Sequence, residues 1–150
     1  MTSLYKEMTE RHQNEYNEFS KGKIIYIFAF SDEDFNNQLA EKGLTVKDIS
    51  SIGGGAFLIK NKASEIKEFF KRQKEELKAA IKADTTGKGF IKDMFYYELA
   101  DHEYLYTYDV EYSLSDICHS LQITMQDIYD NKTLSRGLKL AIKELKSYED

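Results

Sequence analysis

Leu4, Met8, His12 and Tyr16 recur at spacings of four, with Tyr5 and Phe19 widening the stripe. This pattern predicts an amphipathic first helix over residues 2–20, ended by Gly22. The periodicity then changes. KIIYIFAF, Lys23 to Phe30, is a nearly unbroken β-branched and aromatic run of strand length, and its apolarity predicts a central strand buried on both faces. Ser31 with Asp34 reads as a capping box opening a helix that closes at Gly43, and Thr45 with Asp48 repeats the device. ISSIGGGAFLIK, Ile49 to Lys60, places apolar residues on both sides of three glycines, the pattern of a strand pair with a permissive turn. From Lys62 to about Lys82 a long helix turns Ile66, Phe69, Phe70, Leu77 and Ile81 inward, and DTTGKG, Asp84 to Gly89, breaks it. Phe90 to His102 predicts another helix, packed through Phe90, Ile91, Met94, Phe95, Tyr97 and Leu99. Leu105 to Val110 reads as a short strand, and about Lys132 to Ser147 as the last helix.

These elements predict a mainly helical α+β fold of about five to seven helices, with a small sheet from residues near 23–30, 49–60 and 105–110. At 150 residues, one compact domain over residues 1–150 is expected. The absence of proline suits a helix-rich chain. LAEKGLTVKDI, Leu39 to Ile49, is echoed by CHSLQITMQDI, Cys118 to Ile128, each passing from a helix end into Thr-x-x-Asp. One such echo is a shared local solution and not a repeat architecture.

No apolar run approaches the ~18 residues of a membrane span, and the charged N-terminus lacks the apolar core and cleavage site of a secretory signal. A cytoplasmic location is expected. The single cysteine, Cys118, fits a reducing compartment.

FYYELADHEY, Phe95 to Tyr104, gathers three carboxylates, one histidine and three tyrosines. Glu98 and His102 are four apart and share a helix face; with Asp101 or Asp109 they would hold zinc or another divalent metal, as a metal-binding domain or metal-dependent enzyme. The competing reading is a helix-end histidine that meets the C-terminal dipole and neighbouring carboxylates. The protease motif HExxH is absent, because Tyr106 stands where its second histidine belongs. Cys118 and His119 are adjacent and point apart on a helix, which disfavours them as nucleophile and base. Gly53–Gly55 would cradle phosphate only with a following Lys-Ser/Thr, which is missing, so a hairpin turn explains them better. GKG, Gly87 to Gly89, precedes a helix and reads either as an anion seat or as a plain connection.

Charge supplies the strongest signal. Residues 93–131 contain nine Asp or Glu, seven Tyr and no Lys or Arg, whereas residues 62–83 carry seven Lys or Arg against four Glu. The net charge of −5 conceals this polarity. An acidic, tyrosine-rich surface repels nucleic-acid backbones and suits a basic protein partner. Glu98, Asp101, Glu103, Asp109 and Glu111 would supply the charge, and Tyr97, Tyr104, Tyr106 and Tyr108 the contact area. The plainer alternative is a solvated acidic face over core tyrosines.

IFAF, SIGGGAF, DMFYYELADHEY and TYDVEYSL, taken in order, resemble a family of small uncharacterised proteins of phages, mobile elements and Gram-positive and gut bacteria. The resemblance runs from about Lys23 to Leu140, with Asp101 standing where the family pattern has Asn. It implies no reaction, but it does imply a genomic setting; on the residues themselves, no membrane partner is expected and, outside the metal reading, no cofactor. Small acidic accessory proteins of that setting often block host defence, anti-CRISPR inhibitors among them. The resemblance and the charge together imply a non-enzymatic accessory protein whose partner is a basic host or phage protein such as a CRISPR effector nuclease. A self-associating structural protein of the element is the third expectation.

Overall fold

The computed structural model describes residues 3–101 and 110–147, in the second stretch with side chains from Leu114 onward. By packing, the chain divides into two compact units, residues 11–75 and residues 1–10 with 76–150. Among the described residues are seven α-helices and one three-stranded antiparallel sheet, so the fold is α+β and mainly helical. The helices are α1 Leu4–Phe19, α2 Asp32–Glu41, α3 Ala63–Ala83, α4 Phe90–Asp101, α5 Val110–Leu121, α6 Met125–Asp130 and α7 Lys132–Ser147. The strands are β1 Ile24–Tyr26, β2 Ile49–Gly53 and β3 Ala56–Ile59. The strand expected at 105–110 lies outside the described residues up to 109, and Val110 opens α5.

The 11–75 unit is built on the hairpin. Gly53, Gly54 and Gly55 all have positive φ, which a residue with a Cβ adopts only under strain, and they return β2 antiparallel onto β3. Because this tight turn gives β2 one edge of β3, β1 takes the other, and the sheet order is β1-β3-β2. KIIYIFAF is therefore an edge strand and not the expected central one. It stops pairing where β3 begins, and Phe28 and Phe30 beyond it are 74% and 103% exposed. Two small cores flank the sheet: Ile24, Ala56 and Ile66 on one side, Ile27, Leu39 and Ile49 on the other. Phe19 stacks on Phe69 at 4.2 Å, while Phe70, expected inward, is exposed. The Ser31 hydroxyl accepts from Asp34 N–H at 3.1 Å and opens α2 as expected.

In the other unit one continuous core gathers Tyr5, Phe90, Ile91, Met94, Phe95 and Leu99 with the inner faces of α5, α6 and α7. In α1 the inward residue is Tyr5, and Leu4 is exposed, the reverse of a stripe begun at Leu4. A close approach fixes α7 against α4: a Cβ on Gly137 would lie 2.4 Å from Ile91 Cγ2 and 2.9 Å from the Gly87 carbonyl oxygen. Only glycine fits there.

Candidate functional site

The acidic tyrosine region begins on α4, where Phe90, Ile91, Met94, Phe95 and Leu99 take the core face. That choice leaves Asp93, Tyr96, Tyr97 and Glu98 half-buried and Asp101 exposed. The rings of Tyr96 and Tyr97 meet edge to face at 5.3 Å, and Lys6 Nζ sits 5.8 Å from the Tyr97 ring centre. Lys6 thus brings a cation to a segment that has none of its own. Sequence spacing had no means of showing it, because Lys6 lies on α1.

Glu98 is also engaged from α1, accepting a hydrogen bond from the Tyr5 hydroxyl. Burial, the bond to Glu98 and the negative charges of Glu98 and Asp101 push the Tyr5 pKa far above its ordinary value. Tyr5 is consequently a neutral donor, and part of Glu98's capacity is spent on seating α1. Further along, α5 buries Leu114, Ile117, Cys118 and Leu121 and exposes Asp116, while α6 exposes Asp127, Asp130 and Tyr129, the last at 75%. Asp127 receives Thr124 N–H at 2.8 Å and returns its own N–H to the Thr124 hydroxyl at 3.0 Å, a complete capping box.

Of the residues expected to bind a partner, the structure places Tyr97, Glu98 and Asp101 on one helix. Glu103, Tyr104, Tyr106, Tyr108 and Asp109 lie outside the described residues, as does the side chain of Glu111. His102 and Asp109 of the expected metal set are likewise outside. Among the described residues no three His, Cys, Asp or Glu groups converge as metal ligands. Cys118 is buried, 3.8 Å from Met125 Sδ, and burial with the nearby Asp127 charge pushes its thiol pKa up, away from thiolate reactivity.

The GKG segment has an occupant from its own chain. Gly89 precedes α4 and has no side chain with which to cap it, so Asp84 reaches over instead. One carboxylate oxygen accepts from Ile91 N–H at 3.0 Å and Gly89 N–H at 3.3 Å. The other accepts from Gly87 N–H at 2.9 Å and from the Thr86 N–H and hydroxyl at 3.2 Å. Burial works to raise the Asp84 pKa, but the donors of Ile91, Gly87 and Thr86 outweigh it and hold the group below the ordinary carboxylate value. The anion at this helix terminus is thus an internal one. An Asp at the head of DTTGKG was the available sequence signal.

No helix among the described residues is long and apolar enough to cross a membrane. The chain belongs to a family of unknown function, DUF7659, whose model matches residues 4–144. No curated protein and no solved structure matches it.

Proposed function

From a family without an assigned activity and a segment, residues 93–131, whose own charged side chains are all acidic apart from its histidines, we propose that this protein is a non-enzymatic binding module. It docks on a basic protein surface through α4, α5 and α6. The observation that carries the reading is charge segregation: residues 93–131 contain no Lys or Arg, and Asp101, Asp116, Asp127 and Asp130 are exposed, as is Tyr129. Exposed carboxylates of this kind complement a groove built for phosphates, and tyrosine adds contact area at low entropic cost. In its specific form, the protein is a phage or mobile-element accessory factor that occupies the nucleic-acid channel of a host-defence nuclease such as a CRISPR effector.

The test combines Asp101→Lys, Asp116→Lys and Asp130→Lys, sparing Asp127 because it caps α6. Binding to guide-loaded effector nucleases is measured at rising salt, alongside DNA cleavage. The wild type should bind, weaken steeply with salt and block cleavage, and the triple variant should lose binding with its far-UV circular dichroism unchanged. Equal affinity in a folded triple variant, or no binding to any of the effector nucleases, overturns the reading.

A further inference from the structure

The two edges of the sheet are finished differently. β2 carries a bulge between Ser51 and Gly53 in its ladder with β3, and Ser50 and Ser51 are exposed. Such features blunt an edge against pairing. The β1 edge has no such protection, since Ile24 to Phe28 carries no charge, no proline and no bulge.

The register shows which groups this edge presents. Ile59 N–H bonds to the Lys23 carbonyl and Ile27 N–H to the Gly55 carbonyl, both at 2.9 Å. Ile24 and Tyr26, opposite Leu58 and Ala56, are therefore at non-hydrogen-bonded positions of the β1–β3 ladder, and their own backbone groups face outward. Two of the outward groups are already satisfied within the unit: Ile24 N–H bonds to the Ser20 carbonyl at 3.0 Å, and the Phe28 carbonyl accepts from Gln38 Nε2 at 3.1 Å. Among the described residues, the outward groups of β1 left without a partner are the Ile24 carbonyl and the Tyr26 N–H and carbonyl, and just past its end the Phe28 N–H also has none.

That set is its own complement. We propose that β1 pairs antiparallel with β1 of a second copy of this chain, on a two-fold axis at Tyr26. In this register Tyr26 of each copy exchanges N–H and carbonyl with Tyr26 of the other, and each Ile24 carbonyl meets the Phe28 N–H of the other copy. The two groups satisfied internally are those that would otherwise face each other, so neither is left wanting. Charge fits the same arrangement: Lys21 and Lys23 precede the strand, and Asp32, Glu33 and Asp34 follow it. Antiparallel pairing brings the cationic end of one copy to the anionic end of the other. Tyr26, Phe28 and Phe30, exposed at 54%, 74% and 103%, gain cover in the pair.

Sedimentation equilibrium of the full chain from micromolar to submillimolar concentration tests this. The wild type should reach twice the 17.5 kDa chain mass. Tyr26→Pro, which removes the central donor on an edge where proline is tolerated, should remain at the single-chain mass with unchanged circular dichroism. Phe28→Lys, at a side chain already in solvent, should do the same, and it alone decides the matter if the proline variant unfolds. A wild type that stays monomeric throughout, or a dimer that persists in the folded variants, overturns the proposal.

Discussion

Leu39–Ile49 in one unit and Cys118–Ile128 in the other make the same turn and then part. Both begin at a helix end, where Leu44 N–H bonds to the Leu39 carbonyl and Ile123 N–H to the Cys118 carbonyl, each at 3.0 Å. Both pass through one residue of positive φ, Gly43 at 72° and Gln122 at 57°. In both, a threonine N–H reaches the following aspartate at 2.8 Å, Thr45 to Asp48 and Thr124 to Asp127. After that the first yields a single 3-10 turn and enters β2, whereas the second continues as α6. Val46 and Ile49 have the same spacing as Met125 and Ile128, so local pattern does not separate them. Partners do. Ile49 pairs with Ile59 across the hairpin, and Ile128 packs into the large helical core. Short-range hydrogen bonding writes the turn, and the surroundings decide whether a strand or a helix comes after it.

Core truncation should give the largest difference between the two. Ile128→Ala leaves a cavity in an extended core that cannot collapse around it, while Ile49→Ala opens a three-residue cluster, so Ile128 should sit at the upper end of the roughly 2–5 kcal/mol range and Ile49 at the lower. Urea denaturation of the two variants measures this, and equal losses would break the distinction between the cores.

Next comes the cap supplied by Asp84, the residue that follows α3. Asp84→Ala leaves the Gly87, Gly89 and Ile91 amides without their acceptor and should cost about 1–2 kcal/mol. A carboxylate with a depressed folded-state pKa stabilises fully above its unfolded value, near 4, and loses that contribution as pH falls through the lower folded value. Wild type and Asp84→Ala should therefore differ at neutral pH and converge in strongly acidic buffer. A gap that persists undiminished would place the effect elsewhere than in the carboxylate charge.

Between the twin turns, Thr124→Ala should cost about 1 kcal/mol because it uncaps a true α-helix, and Thr45→Ala should cost less because one 3-10 turn depends on it. Thermal melts would show the ordering. The smallest pair carries opposite signs. Gly43→Ala forces a Cβ into the left-handed region, with nothing within 4 Å to clash, and should cost about 1 kcal/mol in backbone strain. Gln122→Gly relieves that strain and should gain a few tenths of a kcal/mol up to about 1. Matching signs would mean that the two turns are not equivalent.

Of the candidate site, the sequence conveyed the charge but little of the geometry. The run without Lys or Arg from Asp93 is visible at once, and so is the sidedness of α4. That Tyr5 holds Glu98 across 93 positions, or that Lys6 approaches Tyr97, depends on a helix packing that no spacing along α4 encodes. The β1 edge was hidden for a different reason. A continuous apolar run reads the same whether it is covered on both sides or lies beside solvent.

The amino-acid order was enough to specify the locally closed devices: the caps at Ser31, Thr45 and Thr124, the glycine hairpin, the break before α4 and the bounds of α7. Each is satisfied by atoms a few residues apart, so its energy is already present in the segment. Tertiary packing alone decided that β3 and not β1 is central, that Gly137 must be glycine against Ile91, and that Phe28 and Phe30 stay in solvent. Those outcomes depend on which surfaces compete for the same neighbour, and that competition exists only once the chain has closed on itself.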